Sequence, residues 1–250
     1  MNHGALSPNR ILSKLDEYLH KNDYASAERH LTYWLSEARG VGDERTELLL
    51  QNERMGLYRK LGKRERALDC VREALCSIER QGIAHQVGAA TTLLNCATVY
   101  KAFGMAQDAL PLFENARAIY EKELRDTDER LGGLYNNMGL CLIDLRRFED
   151  AKELYRRALS IMEQTPNGAP EAAITYLNLA SAAEVELGAL DAVEVIEEYL
   201  ETATDLLDSV AERDGNYAFV CEKCASVFDY YGHFSYANEL KERARRIYGQ

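Results

Sequence analysis

A motif of two alanines flanking an aromatic residue recurs along this chain at a nearly constant spacing, and no other feature limits its fold as tightly. Ala109, Phe113 and Ala116 reappear as Ala151, Tyr155 and Ala158, each displaced by 42 residues. The same grammar, small residue, larger residue, small residue, is seen at Ala67, Val71 and Ala74 and at Ala237, Lys241 and Ala244, with weaker copies starting at Ala27 and Ala192. The first alanines therefore follow one another in steps of 40, 42, 42, 41 and 45 residues.

Each copy has a partner upstream. About twelve residues before the alanine stands a second compact residue, Ala97, Gly139, Ala180 or Ala225, with Met55 in its place in the second copy. Three residues after it comes Tyr58, Tyr100, Leu142, Ala183 or Phe228. A glycine often separates the two halves, at Gly62, Gly104, Gly188 and Gly232, where a helix must stop and a left-handed residue costs least. Each unit thus reads helix, tight turn, helix. Small residues let two antiparallel helices approach closely, and the aromatics fill the adjacent holes.

The spacing predicts first helices over 10–21, 43–61, 86–103, 128–145, 171–187 and 215–231, and second helices over 24–38, 64–80, 106–123, 148–163, 190–208 and 234–248. Residues 1–9 are expected to be a flexible N-terminus. The remainder, 10–250, is expected to be a single solenoid with units of about 10–42, 43–84, 85–126, 127–169, 170–213 and 214–250. The stretch Thr165–Pro170, rich in Pro and Gly, is read as a loop between the fourth and fifth units.

From about Arg10 to Tyr248 this pattern resembles the tetratricopeptide repeat family. The period is longer than the family's common ~34 residues and is similar to that of kinesin light chain type repeats, which the stretch Leu134–Leu140 also resembles. The resemblance implies an all-α fold, a right-handed superhelical solenoid of about six helix-turn-helix units whose first helices line a concave face.

Two residues before the compact position in the third, fourth and fifth units stand Asn95, Asn137 and Asn178. A carboxamide carries a donor and an acceptor together, the same pair that a peptide unit of an extended chain displays. The resemblance implies that such a ladder holds a peptide backbone, and gives that role to these three residues, with Asn52 and Asn136 as supporting candidates. The same register brings Arg59, Thr98, Lys101, Asp144, Ser181, Glu184, Lys223 and Tyr230 to the inward face. Family members that clamp a C-terminal carboxylate use basic residues where this chain has Leu49, Thr91, Gly133 and Ile174, which argues against that specialised role.

A net charge of −11 disfavours nucleic acid and anionic membranes as partners. No apolar leader or spanning run is present, so a cytoplasmic protein is expected, with its six cysteines as thiols. Cys221 and Cys224 share the spacing of zinc and redox motifs, but there is no second cysteine pair and they fall within a predicted helix at core-facing positions. No phosphate loop, nucleophile motif or paired histidines point to catalysis, a metal or a cofactor. The expectation is a non-catalytic scaffold that holds a protein or peptide. The alternative is a structural protein that self-associates or bridges subunits through outer faces, suggested by Tyr231, Phe234, Tyr236, Leu240, Ile247 and Tyr248 around the last helix; the sequence sets no oligomeric state.

Overall fold

The computed structural model describes residues 6–249, and they fold entirely into helices and turns, with no strand among them. The chain divides into two compact units, Met1–Glu123 and Leu124–Gln250. The first contains α1 (Pro8–His20), α2 (Tyr24–Val41), α3 (Glu44–Lys60), α4 (Arg64–Gln81), α5 (Val87–Ala102) and α6 (Ala106–Glu123). The second contains α7 (Glu129–Asp144), α8 (Phe148–Met162), α9 (Ala169–Leu187), α10 (Val193–Asp208), α11 (Gly215–Tyr230) and α12 (Phe234–Tyr248).

In each unit the helices pair as antiparallel hairpins, α1 with α2, α3 with α4 and α5 with α6, then α7 with α8, α9 with α10 and α11 with α12. Each hairpin stacks on the first helix of the next: α2 packs on α3, and α3 and α4 pack on α5, in the first unit, while α7 and α8 pack on α9, and α9 on α11, in the second. This is the all-α repeat architecture that the spacing implied, and the helix bounds fall within a few residues of those expected. Of the N-terminal stretch expected to be flexible, residues 1–5 lie outside the described residues, while Pro8 and Asn9 already belong to α1. Proline suits a first helical turn, where its missing N–H would have had no partner.

The turns explain where the hairpins bend. Gly62, Gly104 and Gly232 all have positive φ, at 65°, 74° and 86°. Asn22 and Arg146 take the same conformation at φ 54° and 60°, so the turn is made even where the sequence offers no glycine. In each of these five turns the residue after the left-handed one returns its N–H to a carbonyl of the helix just ended, as Lys63 does to Tyr58 at 2.9 Å and Arg147 to Leu142 at 2.8 Å. The fifth hairpin departs from the pattern. Gly188 combines φ 93° with ψ 152°, an extended and not a helical-turn geometry, and α10 starts at Val193, three residues later than expected. The Thr165–Pro170 stretch joins α8 to α9 inside the second unit, with Ala169 and Pro170 forming the start of α9.

The alanine motif sits where the helices cross. Ala27, Ala67, Ala109, Ala151, Ala192 and Ala237 are all 0% exposed. Phe113 and Tyr155, the aromatics between paired alanines, are buried with them. In the second unit the crossing is tight at Gly139, where an added Cβ would lie 2.5 Å from Cε1 of the Tyr155 ring. A ring held on both sides by alanines cannot retreat, so overpacking there is costly. Gly139→Ala should lower stability by about 1–3 kcal/mol, read as a lower midpoint in urea. Gly133→Ala, one and a half turns earlier with nothing within 4 Å of the new methyl group, should instead leave the midpoint unchanged or raise it.

Candidate functional site

In the second unit, side chains from α7, α9 and α11 surround a cavity of about 260 Å³. Its apolar wall is Leu140, Ile174, Leu177 and Val227, with the buried Cys224 behind. Its polar lining is Asn136, Asn137, Glu171, Asn178 and Lys223. Four of the candidate residues are thus brought together here: Asn137, Asn178 and Lys223 from the repeat register, and the supporting candidate Asn136.

Their amides are not equivalent. Asn137 donates from Nδ2 to the Gly133 carbonyl one turn back, at 2.8 Å. Asn136, only 6% exposed, donates to Thr175 Oγ1 at 2.9 Å, and that hydroxyl donates onward to the Glu171 carbonyl at 3.0 Å. Its own Oδ1 is buried without a partner. Asn178 Nδ2 is likewise shut off from solvent and donates to nothing. A buried polar atom left unmatched costs about 1–3 kcal/mol. The two residues that carry this donor and this acceptor line the same cavity.

Glu171 lies outside the register of the asparagine ladder. It stands in the first turn of α9, and its carboxylate has no hydrogen-bond or ion-pair partner among the described residues. Burial pushes its carboxyl above the usual carboxylate range; the Lys223 ammonium opposes the shift and the Glu129 carboxylate adds to it. A signal for it did exist, since Glu129 and Glu171 are displaced by 42 residues, the same period as the alanines.

The other predicted residues lie elsewhere. Ser181 hydrogen-bonds its own helix at Leu177, 3.1 Å away. Tyr230, 70% exposed, donates to Glu184 Oε1 at 2.9 Å, and Tyr231 donates to the other oxygen of the same carboxylate at 3.0 Å. Asp144 is an exposed residue at the C-terminal end of α7. In the first unit Asn95 and Asn52 meet each other: Asn95 Nδ2 donates to Asn52 Oδ1 at 2.9 Å, and Asn52 Nδ2 donates to Thr92 Oγ1 at 3.0 Å and to the Leu48 carbonyl at 2.9 Å. Arg59 is exposed near the end of α3, Lys101 is half-buried in α5, and Thr98 bonds back to Leu94 at 2.8 Å.

The Cys-x-x-Cys pair is packing. Cys221 and Cys224 are buried in the second unit's core, and burial raises both thiols. Cys70 and Cys96 are pushed up to about 11 and about 12 by the same cause. No group of three or more His, Cys, Asp and Glu among the described residues is placed to hold a metal ion, and none of their helices is long and apolar enough to cross a membrane. Leu240 is fully buried, and Tyr231, Tyr236, Ile247 and Tyr248 pack against the second unit's core. Phe234 is the exposed member of that set, at 63%.

Comparison with known proteins follows the repeat. A tetratricopeptide repeat model matches residues 48–122 and 130–195. No curated protein matches the chain by sequence. Among solved structures, a chain from Podosopora anserina described as kinesin light chain nearly identical TPR-like repeats is 19% identical, with a TM-score of 0.55 over 80% of this chain and 94% of that one. A Rap protein complexed with Competence and Sporulation Factor is 17% identical, with a TM-score of 0.58 over 96% of this chain and 63% of that one. NprR in complex with its cognate peptide NprX is 18% identical, with a TM-score of 0.51 over 98% of this chain and 68% of that one. At these identities the likeness is one of fold.

The raised Glu171 carboxyl has a signed consequence. The fold binds its proton more tightly than the unfolded chain does, so its contribution to stability falls as pH rises from the unfolded carboxylate range through the folded value. Glu171→Gln removes that loss. The difference in melting temperature between variant and parent should grow with pH across that window and then level off, with the variant the more stable at neutral pH; a variant less stable than the parent at every pH would contradict this account.

Proposed function

Since the chain belongs to the tetratricopeptide repeat family, we propose that it is a non-catalytic binding module that holds an extended protein or peptide segment over α7, α9 and α11. The observation that carries this reading is a pair of residues lining one apolar-walled cavity, Asn178 and Asn136, each with a buried polar atom, Nδ2 and Oδ1, that has no partner. A main-chain carbonyl meets the first and a main-chain N–H the second, while Asn137 Oδ1 supplies a further acceptor beside them. Support also comes from the fold shared with NprR, whose solved structure contains its cognate peptide.

In the first unit Asn52 and Asn95 are candidates for the same role, held in position by their mutual hydrogen bond. Arg59, Lys101, Asp144, Ser181 and Tyr230 are proposed as peripheral contacts on the first helices. All six cysteines are free thiols, which suits a reducing, cytoplasmic compartment.

The test is selection of binders from a randomised peptide library displayed on phage, followed by affinity measurement with free peptides. Removing one ligand hydrogen bond costs about 0.5–1.5 kcal/mol. The double variant Asn137→Ala, Asn178→Ala should therefore weaken the selected peptides by roughly tenfold or more, with the thermal melt nearly unchanged. Peptides held with undiminished affinity by the double variant would rule the amide groove out.

A further inference from the structure

We infer that the segment held over α7, α9 and α11 is basic: a lysine or arginine side chain sits against Glu171, and a neighbouring aliphatic side chain fills the cavity between Leu140, Ile174, Leu177 and Val227. This rests on the groove reading above and adds the chemistry of the occupant.

The charge of the chain is unevenly placed. Residues 1–123 contain 17 acidic and 17 basic side chains, whereas residues 124–250 contain 24 acidic and 13 basic ones. The whole net charge of −11 therefore belongs to the second unit. A field of that sign draws in basic segments and repels acidic ones.

At the groove itself the acidic side chains outnumber the basic ones by four to three. Glu171 lines both the 260 Å³ cavity and an adjoining one of about 1150 Å³ that runs along the N-terminal ends of α7, α9 and α11. Glu129, Glu212 and Asp214 line that second cavity too, with Arg130 and Arg213. Both arginines are engaged. Arg130 is bound to the Asp128 carboxylate at 2.7 and 2.8 Å, and Arg213 lies 5.2 Å over the Tyr217 ring and donates to the Val210 carbonyl at 3.2 Å. Lys223 packs its ammonium 4.4 Å above the Phe219 ring. The carboxylate of Glu171 is left half-buried without a hydrogen-bond donor, the condition under which an arriving ammonium or guanidinium is most strongly held.

Independent of charge, the nine-tenths-buried Asn136, whose Oδ1 has no partner, is a lining residue of the same cavity. The occupant therefore brings an N–H into the cavity as well as a cation to its edge. Size decides the rest. A cavity of about 150 Å³ accepts one benzene ring, while pockets for whole drug-sized ligands start near ~300 Å³. At about 260 Å³, with four aliphatic walls, this one fits a single large apolar side chain. Glu171 and Asn178 are seven positions apart on one helix, about 10 Å along its axis, which an extended chain covers in about three residues. The basic residue accordingly lies within about three positions of the one whose carbonyl meets Asn178.

An array of short acetylated and amidated peptides tests this. Each carries a central leucine, with every other position varied through Lys, Arg, Glu, Gln and Ala, and the full chain is the probe at about 0.15 M ionic strength. Peptides with Lys or Arg close to the leucine should bind best, by roughly tenfold over their Gln counterparts, and exchanging the leucine for glycine should abolish the advantage. Glu171→Gln should erase the preference for the basic residue without lowering the melting temperature, and Glu171→Lys should turn it toward Glu. Equal binding of acidic or neutral peptides, or a basic preference that survives Glu171→Gln, would overturn the assignment. Neutral peptides whose binding depends on Asn178 but not on Glu171 would sink this inference and leave the groove standing; no binding by any peptide of the array would sink both.

Discussion

Everything in this molecule depends on two helices being able to touch at a small residue. Six alanines at crossing points are wholly buried, and at Gly139 even a methyl group would strike the Tyr155 ring. Once the crossing is fixed, a helix has no rotational freedom left, because its aromatic neighbours fill the only holes available. The inward face of each first helix is then determined residue by residue. A binding surface on that face inherits its order from core packing and needs no rigidity of its own.

Because packing fixes position but not chemistry, equivalent positions diverge. Asn95 is matched by Asn52, whose own amide is matched by Thr92 and a backbone carbonyl, a closed arrangement within the first unit. Asn178, at the same place in its repeat, has an Nδ2 that donates to nothing. Asn52 and Asn137 both donate to a carbonyl of their own helix, at Leu48 and Gly133, yet only Asn52 accepts from the amide of the following hairpin. The same register therefore yields a self-satisfied amide pair in one place and an unmatched donor in another.

This is also where the sequence stops being readable. Helix bounds, hairpin pairing and the burial of the alanine motif follow from periodicity, since each depends on residues at a fixed offset within one unit. Whether an amide is matched depends on partners 39 to 43 residues away, as in Asn136 with Thr175 and Asn95 with Asn52, and on rotamers no spacing reveals. The delayed start of α10 was hidden for a related reason. Gly188 looks like the other turn glycines in sequence, yet its extended ψ sends the chain on for several residues before helix resumes. Arg146 shows the converse: the left-handed turn forms on a residue that does not favour it, because the hairpin geometry around it is already set.

Glu171 gathers these constraints at one position. A carboxylate in the first turn of a helix is ordinarily favourable, since the helix N-terminus attracts negative charge. Here that gain is opposed by burial and by the nearby Glu129, and the carboxyl is shifted toward its protonated form. Glutamine would fit the same space without that cost, so packing alone does not account for the ion. An unmatched charge in a groove whose unit carries all of the chain's net negative charge is instead what a site for a positively charged group requires: the free protein bears the desolvation, and the arriving cation relieves it, so affinity is gained at the position where stability is lost.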